Sequence, residues 1–364
     1  MNIIRKICQL FLIGGSFLQS AGIDFSALDS LMLSGIKDKI FPGAVVLINH
    51  HGKRIYYKPF GRYTYDKTSP KISIDTLFDV ASLTKVLATT TLAMQLHDKN
   101  MLDVEKTVSE YLPQFNTADK ANICIKHLLT HTSGFVDKPL RNVRITASDL
   151  LQELLSYKPR FQVGDKYQYT CCNMLYIQKI IENLLGLPFD ECFNRYIKNP
   201  LGLTETGFNP KNSNRCAPTQ SHGYRGSIQG VVHDDKAYIC NGVAGNAGLF
   251  STARDLEKFM LMIMNDGKYM KDKISHQLIR PETIRTWTSK QCDFNRGLGW
   301  EIGRHLSSQA FGHFGWTGVS IWADRDLDLF VILLTNRTYP DGKNLAIRQF
   351  RIDFHDLIMK IISQ

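Results

Sequence analysis

The sequence is short of the signals that usually announce a function. It has no Gly-x-Ser-x-Gly elbow, which removes the α/β-hydrolase route to a nucleophilic serine. It has neither a phosphate-binding loop nor a dinucleotide fingerprint. No Cys-x-x-Cys pair occurs among its eight cysteines, so zinc and thioredoxin-type chemistry find no support. Repeats, low-complexity tracts and long charge runs are also missing, which argues against a disordered chain. Beyond the N-terminus no apolar stretch reaches the length of a membrane span. Basic residues are in excess, giving a formal charge of +10, but they are scattered rather than striped and no nucleic-acid motif accompanies them. A solvated basic surface remains, one that also suits an anionic wall polymer or membrane face.

At 364 residues the chain can form one large domain or two interleaved ones. Its N-terminus has a different make-up from the rest. Arg5 and Lys6 precede a mostly apolar stretch, Ile7 to Leu18, followed by small residues at Ser20, Ala21 and Gly22. Positive, then apolar, then small is the layout of a secretory signal peptide over residues 1–22, and it predicts a periplasmic or secreted protein. An uncleaved anchor or a buried first helix is the alternative, although the stretch is short for a bilayer. Removal of this leader takes the charge from +10 to +8 and the cysteines from eight to seven, leaving at least one free thiol.

Residues 24–38 read as an amphipathic helix, with Leu28, Leu31 and Ile36 near one side. Gly43 to Asn49 is a buried strand candidate, and Lys53 to Phe60 returns from the turn at His50–Gly52 as its hairpin partner. Near the other end Val319–Ala323 and Leu329–Thr335 are apolar strands joined by a turn-rich link. Beyond them Ile347, Phe350, Phe354, Leu357, Ile358 and Ile361 recur at helical spacing. Between the ends, Leu83–Leu96, Asn173–Leu185 and Ala253–Met264 are helix candidates. This arrangement predicts an α+β fold: an antiparallel sheet flanked by helices, built from residues 23–80 and 290–364, with a mostly helical domain, 81–289, inserted. A cleft between the two parts is where ligand sites tend to lie.

Ser82-Leu83-Thr84-Lys85 falls where an extended segment gives way to a helix. Positions i and i+3 share a helical face, so hydroxyl and amine can meet. A serine hydroxyl becomes a nucleophile when a neighbouring base takes its proton, and a lysine serves as that base when its pKa falls. Spacing alone is weak, since Ser34-Gly35-Ile36-Lys37 has it too. The bland reading of Ser82 is an N-cap. Context separates the two: the stretch LFDVASLTKVLATTTLAMQL resembles the nucleophile helix of class C β-lactamase-related serine hydrolases, which share their fold with penicillin-binding proteins.

The resemblance implies two further elements. In VGDKYQYTCCNMLYIQKIIENLLG, Tyr169 matches the tyrosine of the family's Tyr-x-Asn motif, a proton relay between nucleophile, leaving group and water. Cys171 stands at the third position, often Asn or Asp in the family, while Asn173 matches another position often filled by Asn. Tyr167 is a less well-placed rival. His313-Phe314-Gly315-Trp316-Thr317-Gly318 resembles the third motif, on a strand edging the cleft. There Gly315 lets substrate lie against the backbone, the Trp316 N–H joins that of Ser82 as an oxyanion hole, and His313 orients Tyr169 or meets a substrate carboxylate with a pH-dependent charge. FPGAVVLINHHGKRIYYKPFGR, HLLTHTSGF and VAGNAGLFSTARDLEKF match as well, so the likeness covers almost all of residues 24–364.

The resemblance implies acyl transfer through a covalent ester on Ser82, without cofactor or metal. His127 and His131, spaced i, i+4, lack a third ligand and read as structural, as do His222, His233 and Asp234. The expected substrate is a D-alanyl-D-alanine peptide of peptidoglycan, with a β-lactam or a simple ester as alternatives and a silent wall-binding protein as the reading from another class. Cys171 and Cys172 are either a thiol pair close to substrate and open to oxidation or two buried small hydrophobes.

Overall fold

The computed structural model describes residues 22–138, 140 and 145–364, so the predicted leader lies outside the described residues but for Gly22. β1 (Gly43–His50) is apolar on both sides because both of its faces are covered. Val45 and Leu47 enter one core, and Ala44, Val46 and Ile48 enter another on the opposite face. β11 (Leu329–Thr335) pairs antiparallel with it and divides its side chains the same way, Phe330, Ile332 and Leu334 against Leu329, Val331 and Leu333. The period of two therefore sorts one strand's residues between two layers.

These strands belong to a six-stranded antiparallel sheet in the order β2-β1-β11-β10-β9-β8. Its other members are β2 (Lys53–Gly61), β8 (Glu301–Ile302), β9 (Phe311–Phe314) and β10 (Ser320–Asp324). One face is covered by the first helix, Ser26–Lys37, and the C-terminal helix, Ile347–Ile362. Phe350, Phe354, Ile358 and Ile361 recur every three or four residues and fill that layer. The two helices approach closely at Gly35, where a Cβ would meet the Phe41 ring at 2.7 Å and the Phe350 ring at 2.8 Å.

The opposite face carries the larger core, with Val86, Leu87, Ile177, Phe259 and Met260 among its members. The helix Cys172–Leu185 ends on Gly186, which takes the left-handed conformation common at helix ends. The middle of the chain is not all helical. β3 (Phe78–Asp79), β4 (Gly207–Phe208) and β5 (Leu249–Ser251) form a small sheet, and β6 (Lys268–Lys271) with β7 (Ile274–Gln277) an exposed hairpin. β3 leads directly into the Ser82 turn, and β9 ends beside it.

Candidate active site

Ser82 lies in a tight turn between β3 and a helix that begins with a π-helical turn, Lys85–Thr90, and continues as Thr91–Asp98. The residue before it, Ala81, has φ of 46°, a left-handed conformation that a side chain adopts only when its surroundings impose it. Asp79 supplies part of that constraint. Its carboxylate accepts the Ala81 N–H at 2.8 Å and the His233 N–H at 2.7 Å. The turn is fastened to β9's exit as well: the Thr317 hydroxyl donates to the Asp79 carbonyl at 2.7 Å. Gly315 packs so near that a Cβ would stand 2.7 Å from the Val80 carbonyl oxygen.

Full burial raises the Asp79 pKa to about 6, against the two N–H bonds that lower it. The folded protein thus retains a proton that the unfolded chain has lost between pH 3.8 and about 6, and stability from this group falls as pH rises through that window. The stability difference between wild type and Asp79→Asn is expected to shift against wild type by about 2 kcal/mol from pH 4 to pH 7. Urea midpoints at four pH values measure it; a difference that stays constant contradicts the assignment.

Three side chains from three places in the chain meet at Ser82. Lys85 Nζ donates to Ser82 Oγ at 2.9 Å and to the Asn246 carbonyl at 2.8 Å, and the Tyr169 hydroxyl donates to Ser82 Oγ at 2.9 Å. Lys85 is fully buried while Ser82 and Tyr169 remain partly open. Desolvation pushes the Lys85 pKa down, but the potential anions at Cys171 and Tyr169, with Asp234 behind them, push it up further. The net shift is upward. Cys171 and Tyr169 are themselves neutral at pH 7, burial holding each pKa up, so their upward push on Lys85 develops only as one of them ionises. Tyr169 is moved to about 12, burial raising it and Lys85 opposing.

Asn246 and Asp234 were not singled out as site residues by sequence reasoning. The Asn246 carbonyl anchors Lys85, and its side-chain amide donates to Asp234 Oδ1 at 3.0 Å. Asp234 also caps the short helix Asp235–Ile239 by accepting the Ala237 N–H. The stretch VAGNAGLFS carried the family likeness, so the signal for Asn246 existed without a role attached to it.

Two expectations need correction. The first is Asn173, which is fully buried and does not line the hollow: its Oδ1 accepts from Ser133 at 2.8 Å and its amide lies 3.3 Å from His131 Nδ1. The second is the charge expected on His313, which is buried, with a pKa held well below the usual histidine range by desolvation and by Arg296 and Lys85. Its Nδ1 faces the Phe314 carbonyl at 2.8 Å, an acceptor only, so Nδ1 carries the proton and Nε2 is bare. A neutral ring with a bare nitrogen accepts hydrogen bonds and offers no charge to a substrate carboxylate. Its ring stands 6.1 Å from that of Tyr169, centroid to centroid.

Of the two readings of Cys171 and Cys172, the inert one fits their surroundings. Cys171 Sγ lies 3.7 Å from Lys85 Nζ, and its N–H donates to Asp137. Burial nonetheless raises the thiol pKa more than Lys85 lowers it, so it stays protonated and a poor nucleophile. Cys172 is fully buried against Thr170. Turnover is expected to be the same with and without reductant, in wild type and in Cys171→Ser; a loss in oxidised wild type alone contradicts this.

Trp316 projects its indole to solvent, 51% exposed. Among the described residues the N–H groups of Ser82 and Trp316 donate to no protein acceptor. Beside Trp316 a polar cavity of about 310 Å³ is lined by Gln220, Tyr224, Arg225, His233 and Asp234 as well. Tyr167 packs edge-on against His131, ring centroids 6.3 Å apart. Of the remaining histidines, His127 accepts the Cys124 N–H and His131 lies beneath Tyr169, rings 4.6 Å apart.

Comparison with known proteins gives the family and the fold. The chain is 29% identical, over 88% of its length and 85% of the relative's, to an Escherichia coli K12 protein provisionally named a D-alanyl-D-alanine carboxypeptidase. It is 28% identical to an N-acetylmuramyl-L-alanine amidase of Bacillus subtilis, covering 82% and 78% of the two chains. A class C β-lactamase from Rhodobacter sphaeroides superposes with a TM-score of 0.71 at 20% identity, over 92% of this chain and 99% of the other. A β-lactamase/D-alanine carboxypeptidase from Pseudomonas syringae gives 0.71 at 19%, with the same coverage. The sequence model of the Beta-lactamase family matches residues 28–354, and the chain belongs to that family, as a serine hydrolase.

Proposed function

We propose that the protein hydrolyses an acyl bond through a covalent ester on Ser82, and that its substrate is the D-alanyl-D-alanine terminus of a peptidoglycan peptide. The observation that carries this reading is the convergence of Lys85 Nζ and the Tyr169 hydroxyl on Ser82 Oγ, each at 2.9 Å. As Ser82 Oγ bonds to the carbonyl carbon, its proton passes to the Tyr169 oxygen while Tyr169 gives its own to the departing nitrogen. No free phenolate has to accumulate, which suits a phenol with a pKa of about 12. Lys85, one turn along the same segment, donates to Ser82 Oγ and offsets negative charge as it develops. The N–H groups of Ser82 and Trp316 receive the oxyanion, a donor being worth about 3 kcal/mol of barrier. Water then attacks the ester by the reverse route.

Support for the substrate comes from the Escherichia coli relative's name and from Cys171, a thiol where β-lactamase relatives often have an amide. The β-lactam and ester readings are favoured by the structural neighbours, which include a class C β-lactamase and the hydrolase EstCE1. Incubation with a D-Ala-D-Ala peptide, a chromogenic cephalosporin and a short-chain ester separates them. Release of D-alanine with the highest kcat/KM is expected; faster turnover of the cephalosporin or the ester overturns the substrate assignment.

We also propose that residues 1–22 direct export to the periplasm or beyond, where such peptides are found. The division into a sheet part, 23–80 with 290–364, and a largely helical part, 81–289, belongs to the same proposal, with Ser82 at their junction.

A further inference from the structure

The C-terminal helix carries a charged residue on its apolar face. Arg351 stands between Phe350 and Phe354 in the spacing that fills the core, is buried, and has no carboxylate partner among the described residues. An unpaired buried guanidinium is rare and expensive in free energy. Its Nη2 donates instead to two backbone carbonyls, Gly315 at 2.9 Å and Val319 at 2.7 Å, which flank the turn leaving β9. The next carbonyl, that of Trp316, is held by a second arginine: Arg337 Nε donates to it at 2.8 Å, and the Arg337 guanidinium stacks 4.2 Å from the indole centroid.

The Gly315 carbonyl and the Trp316 N–H belong to one peptide unit. A cation on the oxygen end draws electron density from the nitrogen end and strengthens the N–H as a donor. The same contacts fix the plane of that peptide, so the N–H needs no reorganisation when charge appears beside it. We propose that Arg351 is a positioning residue of the reaction, orienting and polarising the Trp316 N–H through the Gly315–Trp316 peptide, with Arg337 steadying the following carbonyl. This rests on the reading of Trp316 N–H as an oxyanion donor. It also explains the missing carboxylate: a permanent counter-ion would cancel the field that the oxyanion uses. Burial and the nearby Arg337 lower the Arg351 pKa to about 9, Arg304 adding to the fall and Glu301 opposing it from beyond ion-pair distance, and a negative charge at the oxyanion position relieves that unfavourable state.

The test compares wild type, Arg351→Met and Arg351→Lys. It reads the rate of acylation by a fluorophosphonate, inhibition by phenylboronic acid as a tetrahedral mimic, the KM for turnover, and the melting temperature. Arg351→Met is expected to slow acylation and weaken the boronate by a similar factor, about tenfold to a hundredfold, with KM little changed. Arg351→Lys is expected to recover part of both losses by returning the charge and one carbonyl contact. Acylation by Arg351→Met within twofold of wild type overturns the proposal, as do equally slow Met and Lys variants of equal melting temperature. If the Met variant does not fold, the Lys variant decides through the Trp316 amide proton, expected to move upfield; an unmoved resonance overturns the proposal. Wild-type protein that takes no label on Ser82 defeats the underlying site reading instead, whatever the Arg351 variants do.

Discussion

Ser82→Ala is expected to remove turnover and covalent labelling together, on every substrate class the wild type accepts. The side chain is partly open to the hollow, and its oxygen receives both Lys85 and Tyr169. Alanine takes that acceptor from both donors and leaves Lys85 on the Asn246 carbonyl. Catalysis by the remaining groups is then limited to electrostatic stabilisation and binding, so a loss of about 10³-fold or more in kcat is expected. The fold should survive, because the Ala81 turn is held by Asp79 and Gly315 rather than by the Ser82 hydroxyl. Steady-state kinetics and a melting curve on one preparation check both parts.

Lys85→Met should separate activity from stability. The ammonium is fully buried, and its partners are one carbonyl and the site's own oxygens. A methionine of similar shape removes the desolvation penalty of that charge, so the melting temperature is expected to hold or rise. The leftover Asn246 carbonyl limits the gain, since a buried acceptor without a donor costs about 1–3 kcal/mol. Acylation, by contrast, should fall by about 10²-fold to 10⁴-fold, as Ser82 and Tyr169 lose the charge that aligns them. A variant that loses stability and activity in proportion would mean that Lys85 is mainly structural.

The parts of this site readable in the sequence are those set by local spacing. Ser82 and Lys85 are three residues apart on one chain segment, and the segment's apolar continuation makes the helix visible. The hairpin and the paired C-terminal strands are legible for a like reason, since β1 and β11 are apolar runs bounded by turn residues. Tyr169 and His313 came from motif likeness; nothing in spacing alone would bring them to Ser82.

What local pattern does not carry is the environment that decides protonation. The charge on Lys85 depends on Cys171, Tyr169 and Asp234, which come from other segments of the chain. The neutrality of His313 depends on burial and on the positive charges of Arg296 and Lys85. Asn173 follows Cys171 by only two residues, yet the helix beginning at Cys172 turns it toward Ser133 and away from the hollow. Arg351 gave a faint signal, a cation in the apolar stripe of the last helix, but its purpose needs β9's exit alongside it. Asp79 is similar: an acid just before a nucleophile reads as a surface residue until two N–H groups are seen to converge on it.

The most direct measurement treats the purified protein with a fluorophosphonate and maps the adduct by peptide mass spectrometry. One stoichiometric modification on the peptide that contains Ser82, absent after Tyr169→Phe slows the reaction beyond the labelling time, is the result required. Label on a different residue, or intact activity in protein fully modified elsewhere, would show that the hydroxyl held by Lys85 and Tyr169 is not the nucleophile.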